Sequence, residues 1–359
     1  MDTRHASHSA LCAIHFTPWT QLSGAQRSLL ALVREQSRHQ ATAVLVESEG
    51  PLAQHARELG AIVGVLGCDS LDPDETRADQ SNTDLIERLV ARVGAGILHC
   101  HSAYGMRWMW PIASQLDMTL VCHQRDNYSP NFFHRDLERA DGIIAISQAV
   151  LVTLPPNLRM KASVIYNATQ AFDNRTSNPR PQIGMAARSI PGKGMHLFLD
   201  AVLPLLNHYD FEVSVWGLWS SEDPAVSENV IQRVNQLTAT QKSRVHLQGF
   251  REDIDEFYRH MDVVVVPSTD PEPFGRVAIE AMAWGCVTIV AGHGGLLETV
   301  QDDMSGMVFI PGCSDSLRSK IETALSDSQL CSTMRVRGKE RARTCFSLRG
   351  HYDAVQSFY

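Results

Sequence analysis

Two carboxylic acids eight residues apart, Glu272 and Glu280, bracket a Pro-Phe-Gly turn in "STDPEPFGRVAIEAMAWG" (268–285). The apolar run "DVVVVPS" (262–268) before them reads as a buried strand, and "RVAIEAMAWG" (276–285) after them has the spacing and closing glycine of a short helix. Glu272 therefore falls in a strand-end loop, and Glu280 lies well inside the helix. A carboxylate flanked by Ile279, Ala281 and Met282 is costly to bury alone, so something polar must meet it. Sugar hydroxyls suit such an acceptor, and the backbone N–H groups around Phe274–Gly275 suit a phosphate. The competing reading is that both acids cap or solvate a helix start.

A second group stands in "MAARSIPGKGMHLFLDAV" (185–202). A strand ends at Arg188, a Pro-Gly turn follows, and Lys193 and Gly194 lead into a helix whose amino end is electrically positive. Two cations beside free backbone N–H groups make a phosphate site; the alternative is a pair of solvated loop charges. In "LSGAQRSLL" (22–30), Gly24 marks a helix entry where backbone can approach a ligand closely, or where it simply turns.

The elements that must position these residues alternate along the chain. Apolar runs at 10–16, 41–48, 61–67, 95–101, 119–125 and 142–147 read as strands, and 25–38 and 83–94 carry helical spacing between them. The rhythm repeats at 182–188, 211–217, 244–250, 262–268 and 286–292. The pattern predicts an α/β protein of two parallel-sheet domains. The polar segment "NATQAFDNRTSNPRPQ" (167–182) is the expected linker, which gives domains at 1–174 and 175–341. The aromatic-ended segment 342–359 is expected to cross back to the first domain as a helix. Because ligands of such sheets bind beyond the carboxyl ends of the strands, two domains facing one another would share a cleft lined by these loops.

Bulk properties narrow the function further. A chain of 359 residues with 44% hydrophobic and 20% charged residues is ordinary for a globular protein, and no run is long enough to span a bilayer. The start has no secretory pattern, and its first eight residues read as a loose tail. Eight scattered cysteines without a Cys-x-x-Cys pair point to neither a zinc site nor a disulfide scaffold, so the expected compartment is the cytoplasm. A net charge of −8 gives no general footprint for nucleic acid. "HCH" (99–101) supplies two histidines on one strand face, and without an evident partner cluster no metal site is expected. The aromatics of "YGMRWMWPIASQL" (104–116) and "SPNFFHRDL" (129–137), next to Arg107 and Arg135, read either as core or as a peripheral contact with a membrane face.

Glu272 and Glu280 around "PFG", followed by "EAMAWGCVTIVAGHGGLLETV", resemble the Glu-x7-Glu motif of the retaining GT-B glycosyltransferases called GT4, or glycosyl transferases group 1. "SGAQ" (23–26), "HCH", "CHQRD" (122–126), "AISQAV" (145–150), "VIYNATQ" (164–170), "AARSIPGKG" (186–194), "VHLQGF" (245–250), "VPS" (266–268) and "GGLLETV" (294–300) follow the family order. The resemblance covers nearly the whole chain and is looser before residue 160. It implies the GT-B fold, two Rossmann-like α/β/α domains facing across a deep cleft. It implies transfer of a sugar from a UDP- or GDP-sugar to an acceptor hydroxyl with retention, as in bacterial polysaccharide, glycolipid or glycoconjugate biosynthesis. The nucleotide sugar is a co-substrate, and no cofactor or metal is implied.

Carried over by position, the resemblance assigns Arg188 and Lys193 to the diphosphate, with the backbone near Gly24 and Phe274–Gly275. It assigns Glu272 to a donor-sugar hydroxyl, Glu280 to the ribose, His123 to the sugar and phosphate, and the backbone around Phe250–Asp253, with Phe250, Arg251 and Asp253, to the base. Ser23, Gln26, His101, Arg125 and Asp126 are further candidates for the cleft. Ser23-Gly24 replaces a common Gly-Gly, and Asn167-Ala168-Thr169-Gln170 replaces a common Asn-Gly-Val-Asp, without loss of a charged site residue. A same-fold epimerase or phosphorylase and a non-catalytic nucleotide-sugar binder are the alternatives. A Rossmann dehydrogenase lacks its Gly-x-Gly-x-x-Gly here and leaves the paired acids unexplained.

Overall fold

The computed structural model describes residues 11–66, 80–129, 134–173, 175–219 and 223–359. The amino-terminal tail, Cys68, residues 130–133 and the side chain of Arg135 lie outside that description. The chain divides into two compact units, Met1–Ala168 with Leu348–Tyr359, and Thr169–Ser347.

The first unit is built on seven parallel strands: β1 (Cys12–Thr17), β2 (Ala43–Val46), β3 (Ile62–Val65), β4 (Ala95–Cys100), β5 (Thr119–Gln124), β6 (Gly142–Ala145) and β7 (Ala162–Val164). Their order is β3-β2-β1-β4-β5-β6-β7. Side chains alternate between two covered faces, which is why the strands read as unbroken apolar runs. Ile14, Phe16, Leu98 and Cys100 pack with Met106, Met109 and Ile112 of the helix Ala103–Gln115. On the opposite face Ala13, Ile97, Val121 and Ile144 meet Leu32 of the helix Gly24–Gln36 and Tyr352 and Val355 of the helix Leu348–Phe358.

Three contacts fix that last helix in the first unit. His351 Nδ1 lies 2.7 Å from the Tyr166 carbonyl, and the rings of His39 and Tyr352 stack at 5.2 Å. Phe358 fills the space left by Gly142, where a Cβ would come within 2.8 Å of its ring. The helix Ser328–Cys345 before it belongs to the second unit, anchored where Gly338 allows its backbone close to the Ser305 carbonyl. The passage between units therefore falls at Ser347, beyond the position 342 read from the sequence. The stretch after Ala168 likewise joins the second unit: the Thr169 N–H donates to the Phe346 carbonyl, Phe172 stacks on Trp284 at 4.2 Å, and Arg175 pairs with Asp262 at 2.6 Å.

The second unit carries β8 (Gln182–Ala186), β9 (Glu212–Leu218), β10 (Val245–Gly249), β11 (Val263–Val266), β12 (Val287–Ala291) and β13 (Met307–Phe309), all parallel, in the order β10-β9-β8-β11-β12-β13. In each sheet the chain begins at a central strand, builds one side, then crosses to the other. The switch points lie between β1 and β4 and between β8 and β11. Backbones diverge there beyond the carboxyl ends, which opens room for a ligand.

Within the aromatic stripe at 104–116, Trp108 and Met109 belong to the core, 9% and 1% exposed, and Tyr104 and Trp110 are half-buried against it. Arg107 reaches Asp136 at 3.6 Å, and Arg139 lies over the Trp110 ring. Among the described residues no helix is long and apolar enough to cross a membrane.

Candidate active site

At the switch point of the second unit, the loops leaving β8 and β11 interlock through glycines. Gly194 has φ 70°, and a Cβ there would sit 2.0 Å from the Pro267 carbonyl oxygen; a Cβ on Gly192 would sit 2.2 Å from Asp270 Oδ2. The backbone N–H groups of Thr269 and Asp270 donate to the Gly192 carbonyl at 3.0 and 3.3 Å. From the other side the Gly295 N–H donates to the Glu272 carbonyl at 2.8 Å, and His293 Nε2 lies 3.0 Å from the Ser268 carbonyl. Gly194→Ala combines a left-handed backbone with a clash against main chain, so a loss of at least about 2 kcal/mol of stability is expected. Urea denaturation measures it, and an unchanged midpoint would show that the two loops are not locked.

That scaffold aims the charged residues at one another. Lys193 Nζ lies 2.6 Å from Glu272 Oε1, which also accepts from the Ser268 hydroxyl at 2.5 Å. Arg188 is exposed just past β8. The helices Met195–Val202 and Arg276–Ala283 begin at Gly194 and Gly275, without a side-chain cap in either case. Gly275 has φ 98°. The Phe274 ring is buried against Phe346 and serves the core, so only its backbone remains for a ligand.

Glu280 meets protein groups that the sequence reading did not supply. Arg276 pairs with Oε1 one helical turn away, and the Tyr258 hydroxyl donates to Oε2 at 2.7 Å. Burial, reinforced by Glu280, pushes the Tyr258 hydroxyl well up, so it stays a donor. Tyr258→Phe removes one bond to a charged acceptor and is expected to cost about 1.5 kcal/mol or more. Thermal unfolding of the variant tests this, and a stability equal to wild type would mean that the hydroxyl contributes nothing.

The base-assigned residues divide. Phe250 is 65% exposed at the end of β10. Arg251 instead pairs with Glu256 at 3.2 Å, and Asp253 Oδ1 accepts the N–H groups of Asp255 and Glu256, capping the helix Asp255–His260. Trp219, which no motif indicated, stands against Gly249, the residue before Phe250. It is 57% exposed with φ 56°, and its ring lies over Gly249, where a Cβ would come within 3.3 Å.

In the first unit, Ser23 precedes the helix Gly24–Gln36 and donates to Gln26, whose amide reaches Thr17 Oγ1 at 3.4 Å. Gln26 is thus a lock on the β1 loop. His101, His123 and Arg125 are 2%, 0% and 6% exposed, whereas Asp126 is exposed. Arg125 bonds Asn167 Oδ1 at 2.9 Å and His101 Nδ1 at 2.8 Å. Both ring nitrogens of His123 lack a protein partner. The "HCH" pair does have a partner cluster, contrary to the sequence reading: His15 of β1 joins His99 and His101.

Residues 167–341 match the family of glycosyl transferases group 1. The capsular polysaccharide biosynthesis glycosyltransferase CapM of Staphylococcus aureus is 29% identical over 177 residues, 49% of this chain and 45% of that protein. An uncharacterised glycosyltransferase of Methanocaldococcus jannaschii is 40% identical over 185 residues, 46% of this chain and 45% of its own length. The chain thus spans about half the length of the curated relatives it matches. Among solved structures, the Anabaena protein HepE in complex with UDP-glucose superposes with a TM-score of 0.81 at 21% identity, covering 97% of this chain and 98% of that one. A glycosyltransferase from Rickettsia africae gives 0.83 at 20% identity, covering 98% of each chain. The fold is GT-B, with two Rossmann-like domains, and the resemblance to group 1 glycosyltransferases that the motifs carry is matched over residues 167–341.

Proposed function

We propose that this chain is a retaining hexosyltransferase that moves a sugar from a UDP- or GDP-sugar to an acceptor hydroxyl. The observation that carries the reading is the Lys193–Glu272–Ser268 cluster at the β8/β11 switch point, beside two glycine-started helices. A cation next to N–H groups suits a diphosphate, and a carboxylate in the same loops suits sugar hydroxyls.

As the bond from the anomeric carbon to phosphate breaks, negative charge grows on the leaving diphosphate. Arg188, Lys193 and the backbone near Phe274–Gly275 are the donors that stabilise it. They take the role a divalent metal has in other transferases, so transfer requires none. Lys193 exchanges its contact with Glu272 for the phosphate, and Glu272 is then satisfied by a donor-sugar hydroxyl. Glu280, already oriented by Arg276 and Tyr258, accepts from the ribose. Trp219 and Phe250 offer flat faces to the base. CapM's likeness supports an acceptor from polysaccharide or glycoconjugate assembly, sugar-bearing or lipid-linked.

The test is a screen of UDP- and GDP-sugars by thermal shift, followed by an assay for released nucleoside diphosphate with candidate acceptors. A donor that binds raises stability by mass action. Binding of a donor without release of diphosphate under any acceptor would favour a carrier over an enzyme, and no stabilisation by any nucleotide sugar would defeat the proposal.

A further inference from the structure

Four imidazoles meet on the sheet face that the helix Leu348–Phe358 covers. His15 and His99 are paired residues of β1 and β4, His101 follows β4, and His123 lies on β5. None is more than 2% exposed. Ring centroids are 4.4 Å apart for His99–His101, 5.2 Å for His15–His101 and 5.3 Å for His15–His99. His123 stacks on His99 at 5.4 Å and on His101 at 5.5 Å. One nitrogen from each of His15, His99 and His101 lies within 4.8 Å of the other two.

An uncharged imidazole carries one N–H and one lone pair. Their hydrogen bonds say where the protons sit. Arg125 can only donate, so His101 Nδ1, 2.8 Å away, accepts. His101 therefore carries its proton on Nε2 and donates to His15 Nδ1 at 3.0 Å, and His15 Nε2–H donates to Gln36 Oε1 at 2.9 Å. His99 Nδ1 lies 2.6 Å from the Tyr359 hydroxyl, while its Nε2 is buried without a partner. A buried nitrogen left unbonded is costly unless something occupies the space it faces.

We propose that His15, His99 and His101 bind one transition-metal cation through His15 Nδ1, His99 Nε2 and His101 Nε2. Nitrogens at roughly 2.0–2.1 Å from a tetrahedral ion stand about 3.4 Å apart, so the His15–His101 pair, at 3.0 Å, opens slightly while His99 draws in. Gln36 Oε1, which can only accept, fixes the tautomer of His15 for ligation, and the Tyr359 hydroxyl is able to accept from His99 Nδ1–H when Nε2 binds the ion. Binding displaces the single proton between His101 and His15 to solvent, and Arg125 offsets the charge left on the His101 ring. An all-imidazole set selects zinc, cobalt or nickel over magnesium and calcium, which demand oxygen. The ion ties the ends of β1 and β4 together and steadies the rings on which His123 stacks. It takes no part in the transfer proposed above, and the site stands or falls independently of that reading.

The experiment uses the full chain carrying no polyhistidine tag, stripped with chelator and titrated with cobalt(II) and zinc(II). One equivalent is expected to bind with release of about one proton into a weakly buffered indicator, with visible absorption of tetrahedral cobalt and no response to magnesium. His15→Asn with His99→Asn is expected to abolish the cobalt signal. Gln36→Ala, which keeps all three ligands, should weaken affinity about tenfold to a hundredfold and remains informative if the double variant does not fold. No uptake by folded wild-type protein overturns the site. So does uptake that survives in a folded double variant, or that is unchanged in Gln36→Ala, since surface histidines then hold the metal.

Discussion

Lys193→Ala is expected to lower turnover by about a hundredfold or more, the loss seen when one preorganised oxyanion donor is removed. The ammonium stands at the switch point of the second sheet, 2.6 Å from Glu272. As charge builds on the leaving diphosphate, that contact becomes worth more in the transition state than in the ground state, so its loss falls on kcat as well as on kcat/KM. Arg188→Ala is expected to act alike. The fold should survive both changes: Arg188 is exposed, and Lys193 is 26% exposed, so its ion pair with Glu272 contributes little beyond the range of a surface pair. The measurement is steady-state release of nucleoside diphosphate by variants whose circular dichroism matches wild type. Near-normal turnover in either folded variant would remove the diphosphate role.

The reason these residues could be read from the sequence is geometric. Each follows a strand whose apolar run is unmistakable, and in a parallel sheet every strand end points to the same edge. Arg188, Lys193 and Glu272 therefore had to share an edge, whatever the details of the loops. Partners contributed across the sheet or by another helix carried no such signal. Tyr258 reaches Glu280 from a helix 22 residues upstream, and His15 meets His99 only because β1 and β4 are neighbours in the sheet. Arg276 was legible in principle, since a pair spaced four apart on a helix faces one way. Trp219 was not, because its left-handed backbone is set by the loop and not by its side chain. The strands β7 and β13 were missed for a different reason. Each has three residues at a sheet edge, too short for any period to show.

Glu272→Gln is expected chiefly to slow transfer, and Glu280→Gln chiefly to weaken donor binding. The two acids differ in what surrounds them. Glu280 is fixed by Arg276 on one oxygen and the Tyr258 hydroxyl on the other. A group so oriented suits the ribose, which changes little during reaction, so its contacts stabilise ground and transition states about equally and appear in KM. Glutamine there also breaks the pair with Arg276, and a small fall in melting temperature should accompany the rise in KM. Glu272 is held by Lys193 and Ser268, and in the proposed reaction the first of these turns to the phosphate. Its carboxylate is then released toward the sugar, which must flatten and shift as the bond to phosphate breaks. Glutamine keeps the shape and one acceptor oxygen but loses the charge, which costs roughly half the strength of a charge-assisted bond just where the sugar is moving, and the loss appears in kcat. Steady-state kinetics with the cognate donor decides between the roles. A Glu272→Gln variant altered only in KM, beside a Glu280→Gln variant altered only in kcat, would exchange the two assignments. Equal small effects from both, with lowered melting temperatures, would make the acids a structural pair and leave the transfer chemistry to other residues.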